Sequence, residues 1–401
     1  MSNEDVRITL SSGDLILRPS TGEWVLCKKG KQCALPKSSP AKFLQNKEKY
    51  KLKILQLQIT HRCAMQCVYC TVNAGSLHKE YLPLDVVRSL YSQALSLGLE
   101  RLALSGGEVF LYPNLMNLLR WLVKIGAQGV HIAITTSGSV PIEKNLLGLL
   151  KEIPNLTIAV SLDSYEPAVN EKTRSGVPTN KIIENLLKMT SIGLDVSINT
   201  VLTKTNYRPG FIEGFLNWSI SHGINRQQFI FMLPSGRGQY HESLMLSDEE
   251  SESARLEIVE LGVKYWGKIQ VSDFLEMLSG CVNRQEFCGV GRDRQVVYPN
   301  GNVYPCPFLT SSEFLVGNIY RASLMNIWLS NEKVKYYRSL SVEDIEGCNT
   351  CEVRYLCGGG CRALAYYTSG NFLDKPRRCP KEAILSLLDK TPALISSLRR
   401  V

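Results

Sequence analysis

Cys63-Ala64-Met65-Gln66-Cys67-Val68-Tyr69-Cys70 decides how the rest of the chain is read. Its three thiols have the spacing C-x3-C-x2-C and directly follow a short apolar run at 54–59. A thiolate triad this tight can grip three irons of one [4Fe-4S] cube and leave the fourth iron without a protein ligand nearby. An open iron is a place for chemistry. Zinc is the competing reading, but a structural zinc site wants four ligands, usually in C-x2-C pairs. Here the fourth would have to come from far along the chain.

Working outward, the run at 54–59 is the first of six, the others lying at 101–104, 130–135, 156–162, 196–202 and 229–233. Helical stretches at 83–97, 115–125, 142–150, 181–192 and 211–221 separate them. Pro83 suits a first helical turn, and Gly98, Gly126 and Gly193 stand where helices stop. Near-continuously apolar strands between helices argue for an α/β fold with a parallel sheet covered on the outside. A partial (β/α)6 TIM-like barrel satisfies the pattern and places chemistry at the C-terminal ends of its strands. The cysteine triad follows the first strand and so lies on that rim. Ser105-Gly106-Gly107-Glu108 ends the second, where glycines admit a ligand to the backbone and the acid can hold an ammonium group. Gly-Gly turns are common, so the motif gains its weight from the neighbouring triad.

The flanks differ in kind. Residues 1–50 form a β-hairpin extension, with strands expected at 6–10, 14–17 and 24–27, then a basic connector containing Pro36 and Pro40. Cys27 and Cys33 fall here and read as free thiols, with metal ligation as the alternative. After the barrel (51–245), a linker (246–280) opens with Ser247-Asp248-Glu249-Glu250, an N-cap followed by acids, and predicts a helix to about 264. Residues 281–385 carry short strands, glycines and clumped cysteines. Runs at 295–298 and 302–305 flank Asn300-Gly301, a favoured two-residue hairpin turn. A helix at 382–398, interrupted at Pro392, closes the chain, with 386–401 as its terminal segment.

Thirteen cysteines, odd in number and clumped, argue for metal binding over a disulfide framework. The N-terminus lacks a signal-peptide pattern, and no apolar run approaches the roughly 18 residues of a membrane span. A cytoplasmic protein with no membrane partner is expected. The net charge of +9 permits an acidic partner. The cations are dispersed, without the stripe nucleic acid demands, so an acidic peptide matches better than nucleic acid.

C-x3-C-x2-C with Tyr69 before its last cysteine, then Gly-Gly-Glu after the second strand, resembles the radical S-adenosylmethionine (SAM) enzymes over residues 54–240. The resemblance implies that Cys63, Cys67 and Cys70 ligate the SAM-cleaving cluster and that Gly106, Gly107 and Glu108 receive the methionyl amine. Ser137, Ser161 and Asp163 correspond to ribose- and methionine-side contacts, Arg174 to a carboxylate-holding arginine, and Asn199 to a ribose or carboxylate contact. Leu233-Pro234-Ser235-Gly236-Arg237 is similar to the adenine-side turn, through Pro234 and Gly236. A polar residue at a strand end also commonly caps the next helix, which is the plainer reading of the later positions. On this family's chemistry, an electron from the cluster breaks a C–S bond of SAM. The resulting 5′-deoxyadenosyl radical takes hydrogen from an unactivated C–H bond.

The distal cysteines run Cys288-x12-Gly301-x4-Cys306, then Cys348-x2-Cys351-x5-Cys357-x3-Cys361, then Cys379. This resembles the SPASM domain of radical SAM maturases, and Cys281 supplies an eighth thiol, enough for two fully ligated [4Fe-4S] clusters. The family's interleaved pattern implies Cys281, Cys288, Cys306 and Cys361 on one and Cys348, Cys351, Cys357 and Cys379 on the other, three clusters in all. A pair of zinc sites is the alternative.

SPASM enzymes mostly act on peptides and proteins. Sulfatase maturases place an Asp after the cysteine equivalent to Cys306, whereas Pro307-Phe308 follow here, so maturation of a ribosomally made peptide is expected. Residues 1–50 leave no room for a winged-helix leader-binding domain, which implies a separate leader-recognition protein. An external electron donor is implied too. Backbone splicing with tyramine excision is the favoured outcome; cross-linking, epimerisation, a small-molecule substrate and a non-catalytic metal scaffold are the alternatives.

Overall fold

The computed structural model describes residues 50–272 and 286–390, together with the backbone of three strands nearer the N-terminus. Those three, Val6–Leu10, Gly13–Arg18 and Glu23–Lys28, make an antiparallel sheet, as the hairpin pattern predicts. Cys33, Cys281 and residues 391–401 lie outside the described residues.

Six parallel strands form the barrel: β1 (Ile54–Thr60), β2 (Arg101–Gly106), β3 (His131–Thr136), β4 (Leu156–Ser161), β5 (Val196–Leu202) and β6 (Arg226–Phe231). They alternate with α1 (Leu84–Ser96), α2 (Leu115–Lys124), α3 (Lys144–Glu152), α4 (Pro167–Thr173), α5 (Thr179–Ser191) and α6 (Phe211–Ser221). Sequence periodicity explains the helices. In α2, Leu115, Leu118, Leu119 and Leu122 recur at i, i+3, i+4, i+7 and are all buried. Within β1, Leu55, Leu57 and Ile59 are sealed while Gln56 and Gln58 alternate with them. A strand's side chains point to opposite faces, so the apolar set meets the helices and the opposite face is polar. Register continues that polar face: Gln58 pairs with Ser105, and Asn199 with both Ser161 and Gln228.

Three features differ from the sequence reading. Short α4, just before Arg174, is additional. The hairpin after Cys288 turns through Pro299-Asn300-Gly301 rather than two residues, with Tyr298 N–H bonded to Asn302 O at 2.9 Å and Gly301 at φ 82°. Pro299 has no N–H for a strand pair, so it moves into the loop and the αL glycine closes a three-residue turn. Most consequentially, this hairpin joins the barrel sheet. Strand β8 (Arg294–Val297) pairs parallel with β1, followed outward by β9 (Asn302–Tyr304) and β10 (Gly317–Asn318). At the other edge β7 (Gln270–Val271) pairs with β6, making one ten-stranded sheet.

The linker helix α7 (Asp248–Lys264) begins with a capping box, Ser247 with Glu250. Its Glu260 is ion-paired to Lys390 of the last described helix at 2.6 Å, and Lys264 reaches Glu213 of α6. The two units are therefore bound by main-chain hydrogen bonds on one edge and helix contacts on the other. No helix among the described residues is long and apolar enough to cross a membrane.

Candidate active site

The cysteine loop crosses the C-terminal rim, and segments following β2, β4 and β6 close on it. From β2, Gly107 N–H bonds Thr60 O at 2.6 Å and Glu108 N–H bonds Arg62 O at 2.8 Å. A Cβ on Gly107 would stand 2.3 Å from Arg62 O, so the second glycine of the motif is demanded by the approach to the main chain just before Cys63. From beyond β4, Arg174-Ser175 pair antiparallel with Gln66-Cys67. From beyond β6, Gly236 lies so close that a Cβ would meet Cys70 O at 2.3 Å. Next to it Arg237 spans the loop: Nε donates to Cys67 O at 2.8 Å and Nη1 to Ala74 O at 2.7 Å and Asn73 Oδ1 at 3.2 Å. The sequence reading named the turn but missed that grip.

All three thiols are free. Met65 N–H points at Cys63 Sγ and Ala74 N–H at Cys70 Sγ, each at 3.4 Å, the donors that stabilise a thiolate ligand. Burial pushes the Cys63 thiol up to about 12 and raises Cys67 as well, so metal must displace protons to bind.

Glu108 is sealed and fully engaged. Oε1 accepts from Thr136 Oγ1 at 2.6 Å and Phe110 N–H at 3.0 Å; Oε2 accepts from Ser137 N–H at 2.8 Å and from the Ser137 hydroxyl. Its carboxylate thereby fixes the end of β3 against β2. Asp163 is equally enclosed, accepting from Thr173 Oγ1 at 2.8 Å, Val201 N–H at 3.0 Å and the Tyr69 hydroxyl. Arg174 donates in turn to the Tyr69 oxygen at 3.2 Å. Against the cost of burial, Cys67, Tyr69 and Asp163 hold Arg174 firmly protonated, its pKa well above the ordinary value. Tyr69 thus stands between a buried carboxyl group and a buried cation, two residues from Cys67. Ser161 and Asn199 are half-buried register partners on β4 and β5, and Pro234 is buried in the turn before Gly236.

Several buried polar atoms at this rim have no partner: Gln58 Oε1, His61 Nε2, Arg174 Nε, Ser235 Oγ and Tyr298 Oη. Leaving such an atom unpaired costs about 1–3 kcal/mol. A polar ligand among them offsets that cost, so the rim fits a polar cofactor over an iron left open by the triad. Tyr298 was not read from the sequence. It follows β8, and β8 lies beside β1, so its ring meets His61 edge-on at 5.5 Å and Tyr304 at 5.1 Å.

The remaining described cysteines separate into two groups. Burial, with neighbouring Cys288 and Cys361, pushes Cys306 up to about 12. Burial, with Cys379, Cys348 and Cys351 beside it, does the same to Cys357. Cys288 and Cys361 thus neighbour Cys306, and Cys348, Cys351 and Cys379 neighbour Cys357; Cys281 lies outside the described residues. Among those residues no three His, Cys, Asp or Glu side chains converge on a single ion. Thiols set on separate corners of a cube need not converge.

Comparison with known proteins agrees with this geometry. A family model for the radical SAM superfamily matches residues 57–208, and one for the SPASM iron–sulfur cluster-binding domain matches 288–352. The PqqA peptide cyclase of Streptomyces rochei is 25% identical over 350 residues, 85% of this chain and 92% of that protein. The mycofactocin maturase MftC of Mycobacterium tuberculosis is 23% identical, covering 80% and 81%. The AdoMet-dependent heme synthase of Methanosarcina barkeri is also 23% identical, covering 82% and 96%. Among solved structures, anSMEcpe with bound AdoMet superposes with a TM-score of 0.69 at 18% identity, covering 87% of this chain and 99% of that one. Streptococcus suis SuiB bound to precursor peptide SuiA does so at 0.67 and 16%, covering 94% and 99%. The chain therefore joins a radical SAM superfamily barrel to a C-terminal SPASM domain, and the cofactors these imply are SAM and iron–sulfur clusters.

Proposed function

We propose that this protein matures a precursor peptide by radical SAM chemistry. The observation that carries the reading is the position of Tyr298. Because β8 extends the barrel sheet beside β1, Tyr298 meets His61 next to the triad and has both Cys70 and Cys306 of the distal cysteines for neighbours. A peptide segment lying there would face both. The peptide cyclase and maturase among the relatives support the same class.

Cys63, Cys67 and Cys70 would hold the cluster whose electron cleaves SAM, the source of the hydrogen-abstracting radical. SAM would lie against the main chain of Gly106 to Glu108 and the Ser161–Asn199 pair, with Arg174 Nε, Ser235 and Gly236 around it. Glu108, Ser137 and Asp163 act from behind by fixing the strand ends and the Tyr69 ring. The two distal cysteine groups, Cys281 completing the first, would hold two thiolate-capped clusters that relay the electron released by the substrate. The favoured outcome is splicing with tyramine excision, in the cytoplasm, with a separate leader-recognition protein and an external electron donor.

The test is anaerobic incubation of the iron-loaded protein with SAM, a reductant and the peptide from a short reading frame beside its gene. Mass spectrometry should show a modified peptide, with loss of one tyramine unit if splicing occurs, alongside 5′-deoxyadenosine. Formation of 5′-deoxyadenosine with the peptide unchanged, with and without co-expressed neighbouring proteins, would sink the reading. The heme synthase relative makes a tetrapyrrole the second substrate class to assay.

A further inference from the structure

Arg362 is one of the largest side chains fully sealed from solvent. It directly follows Cys361, and among the described residues its guanidinium meets only main-chain carbonyls: Nη1 donates to Phe372 O at 3.0 Å and Asp374 O at 2.9 Å, and Nη2 to Gly359 O. Nε has no partner. Among the described residues no carboxylate pairs with it; Asp374 turns its own carboxylate to Asn371. Nearby Arg294 shows the contrast, being bonded to Asp293 at 2.8 Å. Burial lowers the Arg362 pKa, and the groups that oppose that lowering are sulfur: Cys288 and Cys361 of one group, Cys348 and Cys357 of the other.

An isolated buried cation is costly, and carbonyl dipoles offset that cost only in part. The described residues supply no anion here, whereas iron-bound thiolates of both groups would. We propose that the Arg362 guanidinium is the shared counter-ion of the two auxiliary clusters and raises the reduction potential of both. The inference rests on the two-group arrangement of the cysteines and is independent of the substrate. Reduction makes a cluster more negative, a nearby cation favours that state, and losing the cation therefore lowers both potentials together.

The experiment is a potentiometric titration of the anaerobically reconstituted full-length protein, followed by electron paramagnetic resonance. Arg362→Gln and Arg362→Lys are compared with wild type. Arg362→Gln should shift both auxiliary couples downward by tenfold or more in the one-electron equilibrium, about 59 mV. The triad cluster serves as the internal reference and should hold its value. Arg362→Lys, which keeps the charge but not the fork, should stay near wild type. Should Arg362→Gln lose auxiliary iron while Arg362→Lys keeps it, the charge is again what matters. A shift in one auxiliary couple or neither, or loss of iron from both variants alike, overturns the proposal. Wild-type protein with iron for a single auxiliary cluster would overturn the two-group arrangement, and the shared role with it.

Discussion

Replacing Arg237 by Ala should loosen the cysteine triad while leaving the barrel folded. The side chain ties Cys67 O and Ala74 O together across the loop at 2.8 and 2.7 Å, both partly buried, and touches Asn73 at the surface. A hydrogen bond from a charged donor contributes about 1.5–3 kcal/mol, so two at the low end give about 3 kcal/mol, with the exposed third counted as nothing. That corresponds to roughly a hundredfold rise in the population of a loosened loop. The main-chain bond from Arg237 N–H to Cys70 O survives the substitution, so the loop is slackened rather than freed. The assay is iron release to a chelator under anaerobic conditions, with the clusters distinguished by their paramagnetic signals. The triad cluster should be lost about a hundredfold faster in Arg237→Ala if release follows loop opening. The auxiliary clusters should be lost at the wild-type rate. Arg237→Lys should fall between, since one ammonium cannot span both carbonyls. Triad iron leaving Arg237→Ala at the wild-type rate would refute the clamp.

Two further outcomes follow from the buried polar groups. Asp163→Asn removes the anion that faces Arg174 through Tyr69, and an uncompensated buried cation costs about 3–5 kcal/mol; denaturant unfolding of the metal-free protein should show a loss of that order, while unchanged stability would mean the charges do not interact. At the opposite end of the barrel, Arg101 Nε donates to His131 Nδ1 at 2.9 Å and His131 Nε2 meets Thr157 at 2.8 Å, which requires a neutral ring. Burial, then Arg101 and Arg226, lowers its pKa below 6.5, so its contribution is complete above the unfolded value and is lost as pH falls through the folded one. The melting-temperature difference between wild type and His131→Gln should therefore shrink from neutral pH towards about pH 5; a constant difference would exclude the linkage.

The barrel and the cysteine triad were legible because both are written in local spacing: strand and helix periods, and three thiols within one turn of chain. Arg237 was not. Its contact with Cys67 joins residues 170 apart, and nothing in Gly236-Arg237 announces which carbonyls the guanidinium will meet. Placement of β8 beside β1 was equally hidden, since the local pattern of a hairpin is silent on the strand it will join. Glu108 and Asp163 were legible as important but not in their arrangement. A carboxylate at a strand end can face a ligand or the next strand, and only the positions of Thr136, Ser137, Tyr69 and Thr173 decide which.

That distinction between engaged and unengaged groups divides the rim by role. Glu108 and Asp163 have no accessible surface, and hydrogen bonds from the protein occupy both oxygens of each. Drawing either to a ligand would mean giving up bonds that hold β3 against β2, or Tyr69 against Arg174. Gln58, His61, Arg174, Ser235 and Tyr298 are in the reverse position, each with a buried polar atom that gains its first partner when a ligand arrives. At about 1–3 kcal/mol apiece, five such atoms are a substantial standing cost against a folding free energy of about 5–15 kcal/mol. Binding a polar molecule at the rim offsets that cost, and it rewards ligands that meet several of these atoms at once. On the proposed function, recognition would fall to the unpartnered set, contributed by β1, β8 and the turns after β4 and β6, while the two buried carboxylates would hold those turns in place.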